Sequence, residues 1–339
     1  MRACVFEGKE KWRIVEVDDP CPGPQEVLIR VKVAGICGTD VHIFRGEYFQ
    51  RFPIIAGHEF SGEVAAVGEG VTEFSPGERV TADPNIFCDH CYFCKINKNN
   101  HCLNFEAVGV TRNGAFAEYV VVPKKCVFPL PERVSFAEGA LAEPLACAVY
   151  GVSRSRIRPG EKVLIFGAGP IGLLLLSLFR VSGAAEVVVV DVSEFKLSLA
   201  LKRGAREALL ADGKEEQRLR EIAPLGFPVV VDATGVPEVM EKALTFVEPD
   251  GTFLLFGVAP QGATMRVEPY RIFQKDLHIV GSFAVKKTMQ YALNLLESGA
   301  VSVKDLISSQ YPLERFGDAL EEMLTTRDHL KIQVLCDGA

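Results

Sequence analysis

A run of glycines interrupts the most apolar window of the sequence. Residues 163–179 carry no charged side chain, and the run within them is Gly167-Ala168-Gly169-Pro170-Ile171-Gly172. A membrane-spanning helix needs about 20 unbroken apolar residues, so this window does not fit one. It predicts a buried strand over Lys162–Phe166, a tight turn, and a helix that begins near Pro170, where a missing N–H costs nothing.

Strands and helices alternate after this turn. Helical stretches at Ser193–Arg203 and Pro237–Phe246 separate most of the later apolar runs. Those β-branched runs lie at Glu186–Val190, Val229–Asp232, Thr252–Val258 and His278–Phe283. Val-rich strands alternating with helices are typical of a parallel sheet covered on both faces. This part of the chain therefore predicts a doubly wound α/β domain.

The glycine run has the context of a dinucleotide-binding fingerprint. It follows a strand and opens a helix, and Asp191 ends the next strand 19 positions after Gly172. Glycines permit the tight turn and the close approach of a pyrophosphate to the helix N-terminus. Asp191 can accept hydrogen bonds from ribose hydroxyls and would repel a 2′-phosphate. The pattern predicts NAD rather than NADP as cofactor.

Residues 1–150 have a different pattern. Short strands punctuated by Pro and Gly indicate an all-β unit, with strands expected at Arg2–Phe6, Arg13–Val17, Glu26–Ala34, Phe60–Gly68, Glu78–Ala82 and Phe116–Val122. The boundary is expected near Arg156–Gly160. After residue 283, helices at Lys287–Ser298 and Phe316–Thr325 and a strand at Lys331–Leu335 can close back onto the first domain.

Size and charge limit the function classes. The 339 residues favour two domains, and 37 Lys plus Arg against 44 Asp plus Glu give a net charge of −7. An acidic chain has no electrostatic reason to bind nucleic acid or anionic lipid, so neither a nucleic-acid partner nor a membrane is expected. The first residues lack the apolar core of a signal peptide, which predicts a cytoplasmic protein. In a reducing cytosol, ten cysteines suggest metal binding or chemistry before disulfides.

Four cysteines stand together in one polar loop. Cys88, Cys91, Cys94 and Cys102 give the spacing C-x2-C-x2-C-x7-C. Four thiolates can converge on one Zn²⁺ in a closed shell that leaves no position for a substrate, so residues 88–102 predict a structural zinc lobe. An iron–sulfur cluster is the alternative, but its usual run continues x3-C-P, and here Leu103 follows the fourth cysteine.

A second set of possible ligands is spread more widely. Cys37 lies in Cys-Gly-Thr-Asp, His58 and Glu59 lie in Gly-His-Glu, and Glu143 lies in an otherwise apolar stretch. A thiolate, an imidazole and a carboxylate suit a catalytic zinc with one open position. A buried Glu143 would need a partner or a metal; the alternative is an exposed charge at a helix start before Pro144.

These motifs, in this order along essentially the whole chain, resemble the zinc-dependent medium-chain dehydrogenase family. Glu143-Pro144 resembles its sorbitol, or polyol, dehydrogenase branch. The resemblance implies an α/β protein with two domains. A GroES-like β-barrel catalytic domain is expected over 1–155 and 286–339, and a Rossmann domain with a doubly wound parallel sheet over 156–285.

The resemblance also implies roles for the ligand set. Cys37 and His58 would bind the catalytic zinc. Glu59 is a direct ligand in similar polyol dehydrogenases, whereas Glu143 reaches the metal or its bound water, and the two acids can exchange roles during turnover.

Further roles follow from the same resemblance. Thr39 would hydrogen-bond the substrate hydroxyl, His42 would pass the proton outward, and Asp40 would orient the ligand histidine. The residues implied to bind the dinucleotide are Gly167, Gly169, Pro170, Ile171, Gly172, Asp191, Lys196, Val258 and Phe283. We expect NAD and two zinc ions per chain, one catalytic and one structural. We also expect a homo-oligomer, either a tetramer or a dimer.

The expected reaction is the reversible NAD-linked oxidation of a secondary alcohol to a ketone. Where polyol dehydrogenases typically carry an Arg-Tyr pair, this chain has Val285-Lys286-Lys287 after Phe283 and Ala284. These lysines, with Arg45, Arg51 and Arg112, favour a sugar acid such as an idonate, gulonate or galactonate as the substrate. A neutral polyol is the alternative.

Other functions stay open at this point. An L-threonine 3-dehydrogenase-like enzyme is one alternative. A non-catalytic nucleotide-binding member of the superfamily is another, although no ligand or relay residue is missing. A zinc-free quinone or enoyl reductase would lack both cysteine motifs.

Overall fold

The computed structural model of the protein describes residues 1–48 and 51–337. The chain divides into two compact units, Met1–Ala146 with Ala284–Ala339, and Cys147–Phe283. The chain passes from one unit to the other at 146/147 and 283/284, whereas the expected domain boundaries were 155/156 and 285/286. The first division falls inside one helix, Ala142–Arg154, which ends just before the expected boundary.

The strands are numbered in chain order. They are β1 Arg2–Gly8, β2 Lys11–Glu16, β3 Glu26–Gly35, β4 Ile54–Ile55, β5 Glu59–Val67, β6 Arg79–Ala82, β7 Asn85–Ile86, β8 Glu106–Ala107, β9 Tyr119–Pro123, β10 Val127–Pro129, β11 Lys162–Phe166, β12 Glu186–Asp191, β13 Glu207–Leu210, β14 Phe227–Asp232, β15 Val247–Leu255, β16 His278–Gly281, β17 Ile307–Pro312 and β18 Lys331–Leu335.

The helices are numbered in the same way. They are α1 Gly38–Phe44, α2 Tyr92–Lys95, α3 Phe136–Gly139, α4 Ala142–Arg154, α5 Pro170–Val181, α6 Glu194–Lys202, α7 Glu215–Ile222, α8 Pro237–Leu244, α9 Pro269–Lys275, α10 Met289–Glu297 and α11 Phe316–Thr325.

The first unit is built around a seven-stranded sheet. Its strands follow the order β10-β6-β5-β3-β18-β17, and β9 also pairs with β3. Strand β18 lies antiparallel to β3, with Gln333 opposite Gly35, and parallel to β17. The last described strand of the chain is therefore a central strand of the first unit's sheet.

Aromatic side chains from both ends of the chain fill the core of this unit. Phe316 at the start of α11 contacts Phe6, Trp12 and Phe116, with ring centroids 5.0–6.0 Å apart. Phe6, Phe116 and Phe316 have no exposed surface. Because aromatic rings bury large apolar areas, this cluster stabilises the docking of the C-terminal segment.

The second unit contains a six-stranded parallel sheet of order β13-β12-β11-β14-β15-β16. Numbered within the unit this is 3-2-1-4-5-6, the order of a Rossmann domain, and it places the carboxyl ends of β11 and β12 side by side. The four central valines of β12 are at most 2% exposed, as expected for a strand covered on both faces.

Glycine is required at the turn after β11. Gly167 has a φ of +102°, and a Cβ on Gly172 would lie 1.8 Å from the carbonyl oxygen of Gly167. The first glycine permits the turn and the last permits close packing of α5 on that turn. Helix α5 begins at Pro170, as predicted.

Several predicted bounds differ from the structure. The strand expected at Phe116–Val122 begins at Tyr119, because the Phe116 carbonyl instead accepts a hydrogen bond from Cys4. The strand expected over Thr252–Val258 ends at Leu255, where the next two backbone amides turn to the Asp232 carbonyl. Strand β16 ends at Gly281, before the predicted Phe283, and α10 begins at Met289, after Lys287 with its φ of +54°.

Apolar length also bears on membrane insertion. Helix α5, the most apolar segment, has 12 residues. Among the described residues, no helix combines the length and the apolar character needed to cross a membrane.

A buried acid lies at the end of β6. Asp83 is 6% exposed, and its Oδ1 accepts hydrogen bonds from the backbone N and side-chain Nδ2 of Asn85 at 2.9 and 2.8 Å. Burial raises the pKa of Asp83 to about 6, although the hydrogen bonds from Asn85 oppose the shift. The folded state therefore binds this proton more tightly than the unfolded state does.

This raised pKa predicts a pH-dependent stability. Between about pH 4 and pH 6 the folded chain holds more protons at Asp83 than the unfolded chain, so the free energy of unfolding falls as pH rises. Asp83→Asn keeps an acceptor and removes the charge, and should raise the free energy of unfolding by about 1–3 kcal/mol near pH 8 and by less near pH 5. Urea unfolding at several pH values measures this, with exposed Asp18→Asn as control. A variant less stable than the wild type near pH 8 would contradict the assignment.

Candidate active site

The four clustered cysteines converge as their spacing predicts. One sulfur from each of Cys88, Cys91, Cys94 and Cys102 lies within 4.8 Å of the others. The short helix α2 begins after Cys91 and carries Cys94, which is buried with Cys102 and Phe87 in a small core of its own. The lobe thus has the donor set of a closed four-thiolate site.

The electrostatics of this lobe favour a cation. Burial raises the pKa of Cys88, but hydrogen bonds from the backbone of His90 and from Asn104 and Cys91 outweigh it and lower the value to about 5. Burial and the neighbouring thiols raise the pKa of Cys94 to about 12. Four thiolates cannot share this space without a compensating positive charge, so the residues fit Zn²⁺.

A second donor group forms at the start of β5. Donor atoms of Cys37, His58 and Glu59 lie within 4.8 Å of one another. Cys37 immediately precedes α1, His58 immediately precedes β5, and Glu59 is the first residue of that strand. His58 and Glu59 are 6% and 1% exposed, whereas Cys37 is half-buried. The soft thiolate, imidazole and carboxylate suit zinc.

The carboxylate of Asp40 connects the two halves of this group. Its Oδ2 accepts a hydrogen bond from the backbone N of Cys37 at 2.8 Å, and its Oδ1 accepts one from Gly57 at 3.2 Å. The same Oδ1 lies 3.5 Å from Nδ1 of His58. Asp40 is 1% exposed, so these contacts are shielded from water.

The histidine itself has the features of a metal ligand. Apart from the 3.5 Å approach of Asp40, its buried Nδ1 has no hydrogen-bond partner among the described residues. Burial lowers the pKa of His58, but Asp40 and Cys37 outweigh that effect and raise it well above its ordinary value. A metal cation bound here would displace a proton from the imidazole. The donor set therefore fits zinc, and the ligand roles of these residues remain predictions.

Sequence reasoning missed a buried lysine in the same site. Nζ of Lys331, on β18, donates to both carboxylate oxygens of Glu59 at 2.8 and 2.6 Å and to the carbonyl of Ile36 at 3.1 Å. Burial lowers the pKa of Lys331, but Glu59 and Cys37 outweigh it and raise the value. The ammonium therefore stays charged at 4% exposure.

The two proposed proton-relay residues lie on α1. The Sγ of Cys37 is 3.8 Å from Oγ1 of Thr39, and Nδ1 of His42 is 2.7 Å from a carboxylate oxygen of Glu47. The side chains of His42 and Glu47 are 27% and 47% exposed. Because residues three apart share a helix face, Thr39 and His42 lie on one side of α1.

The positions of Glu143 and Tyr48 bear on the expected ligand set. Glu143 lies in the first turn of α4 and is 7% exposed, so it is not the exposed helix-start charge considered above. It is not in the group formed by Cys37, His58 and Glu59 among the described residues. Burial raises the pKa of Tyr48, and the charge of His58 partly opposes this, so the phenol lies within electrostatic range of the imidazole.

The basic residues expected near the substrate are dispersed. Arg112 pairs with Glu26 at 3.0 Å. Both residues line a cavity of about 630 Å³, together with Val17 and Cys21, and this cavity is not lined by Cys37, His58 or Glu59. Arg51 lines a cavity of about 560 Å³ beside the cysteine lobe. Arg45 and Lys287 are exposed, and Lys286 is half-buried.

The dinucleotide fingerprint is assembled in the second unit. Asp191, at the end of β12, accepts hydrogen bonds from the backbone N of Ala168 at 2.5 Å and of Ser193 at 2.8 Å. These contacts fix its carboxylate beside the glycine turn that precedes α5. An acid held there is placed to meet a ribose at the helix N-terminus.

The other expected dinucleotide contacts lie at the same edge of this sheet. Lys196 is half-buried on the first turn of α6, where its backbone N donates to Ser193. Val258 and Phe283 are 69% and 44% exposed after β15 and β16. Because the carboxyl ends of parallel strands meet at one edge, all three lie on the side of the glycine turn.

Two family models match the chain. They are the alcohol dehydrogenase GroES-like domain, over residues 23–132, and the zinc-binding dehydrogenase domain, over residues 170–298. D-arabinitol dehydrogenase 1 of Uromyces fabae is 37% identical over 98% of this chain and 97% of its own length. The predicted fold class, a GroES-like barrel with a Rossmann domain, is confirmed.

Solved structures agree with this match. A protein from Sinorhizobium meliloti 1021, provisionally assigned as a zinc-binding dehydrogenase and bound to NADP, superposes with a TM-score of 0.94 at 34% identity over 98% of both chains. An alcohol dehydrogenase from E. coli CFT073 complexed with NADH gives 0.94 at 30% identity over 99% of both chains. The expected cofactors, zinc and a nicotinamide dinucleotide, are confirmed. The chain belongs to the zinc-dependent medium-chain dehydrogenases, in the branch that resembles polyol dehydrogenases.

Proposed function

We propose that the protein oxidises a secondary alcohol of a neutral polyol to the ketone, reversibly and with NAD. The observation that carries this proposal is the convergence of Cys37, His58 and Glu59 within 4.8 Å beside Thr39. Similarity to a D-arabinitol dehydrogenase supports the substrate class. The reaction removes a hydride from the carbinol carbon and a proton from its hydroxyl group.

The chain's own residues would bind, orient and deprotonate the alcohol. Zinc and NAD, when bound, supply a Lewis acid and a hydride acceptor. Thr39 would accept a hydrogen bond from the substrate hydroxyl and, as it takes that proton, release its own toward His42. His42 would take up this proton at one ring nitrogen and release the proton on the other to the half-exposed Glu47 or to water. Asp40 holds Cys37 and His58 in a fixed relative position, so that their donor atoms need no rearrangement when the metal binds.

The positions of the basic side chains favour a neutral substrate. Arg112 is already paired with Glu26, and Arg51 lies beside the cysteine lobe. These two positions weaken the case for a sugar acid. Lys286 is half-buried and follows the buried Val285, so an aldonic acid bound through Lys286 is the second candidate.

A substrate panel distinguishes these candidates. Polyols, aldonic acids and L-threonine would be ranked with NAD by kcat/KM, and we expect the polyols to rank first. Lys286→Met should leave kcat/KM for the best polyol nearly unchanged. An enzyme for sugar acids would instead lose about 10- to 100-fold toward its acid in this variant, because a charged hydrogen bond is removed. Lys304→Met, at an exposed lysine of the same unit, is the matched control.

Loss of the thiolate ligand tests the metal site. Cys37→Ala should abolish turnover and reduce the zinc content from two ions to one per chain, because the four-cysteine lobe is untouched. NADH binding, followed by fluorescence, should keep its Kd, since the glycine turn lies in the other unit. Cys21→Ala, at an exposed cysteine, is the control. Wild-type turnover in Cys37→Ala would refute the assignment.

The carboxylate of Asp191 predicts the nucleotide preference. Asp191→Asn keeps an acceptor for the nearby amides and removes the charge that repels a 2′-phosphate. The ratio of kcat/KM with NAD to that with NADP should fall by about tenfold or more, since hydrogen bonds to charged groups are worth about 1.5–3 kcal/mol. Exposed Asp212→Asn should leave the ratio unchanged. A wild-type enzyme that prefers NADP would contradict the prediction.

A further inference from the structure

A second aspartate lies at the edge of the sheet where the dinucleotide fingerprint is found. Asp232 is the last residue of β14 and has no exposed surface. It is paired across the sheet with Phe166, the residue immediately before the glycine turn. Taking a carboxylate out of water costs free energy unless hydrogen bonds compensate for the loss. A buried acid other than Asp191 therefore adjoins the glycine turn.

The carboxylate of Asp232 closes the turn that follows β14. Its Oδ1 accepts hydrogen bonds from the backbone N of Thr234 at 3.1 Å and from the Thr234 hydroxyl at 2.5 Å. Its Oδ2 accepts a hydrogen bond from the backbone N of Gly235 at 3.1 Å. The Thr234 hydroxyl in turn accepts one from the backbone N of Val236 at 3.1 Å. Both carboxylate oxygens thus fix the path from β14 into α8.

The backbone of the same residue holds the turn that follows β15. The Asp232 carbonyl accepts hydrogen bonds from the backbone N of Phe256 at 3.0 Å and of Gly257 at 2.9 Å. A Cβ on Gly257 would lie 2.1 Å from the backbone N of Gly235 and 2.7 Å from Oδ2 of Asp232, so the two turns are in close contact. Asp232 therefore joins these turns through its side chain and its backbone.

The joined turns pack against the glycine turn after β11. The backbone N of Ala233 donates a hydrogen bond to the carbonyl of Phe166 at 2.8 Å. A Cβ on Gly167 would lie 3.1 Å from the carbonyl carbon of Ala233 and 3.1 Å from Cγ2 of Thr234. The hydroxyl of Thr234 is turned to Asp232, and its methyl group lies against the glycine turn. Three neighbouring turns thus meet at the edge of the sheet where a dinucleotide binds.

Capping of a turn is a weak explanation for a charged group at this position. Burial raises the pKa of Asp232, and the hydrogen bonds from Thr234 and Gly235 oppose this shift without cancelling it. These partners therefore do not fully offset the removal of the charge from water. A neutral asparagine caps such turns as well and would avoid that cost. Ionisable groups held at a cost to stability are concentrated at sites that bind or react.

We propose that Asp232 is a positioning residue for the dinucleotide: it holds the turns after β14 and β15 against the glycine turn and so sets the shape of the cofactor cleft. The carboxylate has no exposed surface, so it acts through the turns and not by touching the cofactor. One of the groups it places is Val258, which follows Gly257 and is 69% exposed. This inference deepens the proposed function and rests on its dinucleotide site.

Binding of NADH to the zinc-loaded full-length enzyme, followed by fluorescence, measures this role without turnover. Asp232→Asn keeps the size of the side chain but places an amide NH2 group where an oxygen accepts a hydrogen bond. We expect the Kd for NADH to rise by about tenfold or more, because a hydrogen bond to a charged group is lost. The zinc content should not change, since Cys37, His58 and the cysteine lobe lie in the other unit.

A second variant tests the route through the turn. Thr234→Val has nearly the same shape as threonine but lacks the hydroxyl that donates to Asp232, so it should also raise the Kd for NADH. It serves if Asp232→Asn fails to fold. In the double variant the rise should be smaller than the product of the two single effects, because both changes remove the same hydrogen bond.

The matched control lies in the same unit. Ser155→Ala removes a fully buried hydroxyl that donates to the carbonyl of Val152, beside the first residues of β14. This change is far along the strand from Asp232 and should leave the Kd for NADH unchanged. A weaker Kd in Ser155→Ala equal to that in Asp232→Asn would mean that any buried defect of this unit weakens binding, which would overturn the specific role of Asp232.

The outcomes separate this inference from the proposed function. A wild-type enzyme that binds no NADH would overturn both. A wild-type enzyme that binds NADH, with an unchanged Kd in Asp232→Asn and Thr234→Val, would overturn the role of Asp232 alone. A purely structural role predicts that second result together with a lower free energy of unfolding, because the folded fraction would still bind normally. Fully multiplicative effects in the double variant would refute the route through Thr234.

Discussion

The buried carboxylate of Asp40 brings together segments that the chain would otherwise leave apart. It accepts hydrogen bonds from the backbone of Cys37, at the start of α1, and from Gly57, before β5. The second partner is 17 residues away along the chain. Because a buried carboxylate needs such donors, its contacts fix the relative position of the thiol and the imidazole before any ligand binds. The proposed chemistry depends on this arrangement.

Much of the architecture could be predicted from local pattern. Strand β11 and the start of α5 have the predicted bounds because an apolar run, a glycine turn and a proline each act over a few residues. The four-cysteine lobe was predictable for the same reason, since its ligands lie within 15 positions of one another. A motif confined to a few neighbouring residues predicts structure that forms among those same residues.

The elements that escaped prediction depend on distant contacts. Helix α1 has seven residues and little apolar periodicity, and Asp40 stabilises its start. Lys331 begins a short apolar strand, where a lysine normally indicates solvent exposure. Its partner Glu59 is 272 residues away, so no window of the sequence contains both. A lone charge at a central strand was the available signal, but the sheet order was needed to interpret it.

The central position of β18 has a consequence for synthesis. A ribosome that has made Glu59 must add 272 further residues before Lys331 appears, which at about 5–20 residues per second takes roughly 15–50 seconds. The whole second unit is translated in that interval. During that interval the nascent first unit lacks β18 and, with it, the counter-ion of Glu59. The Rossmann unit is therefore complete in sequence before β17 and β18 exist, and it can finish folding before the first unit's sheet does.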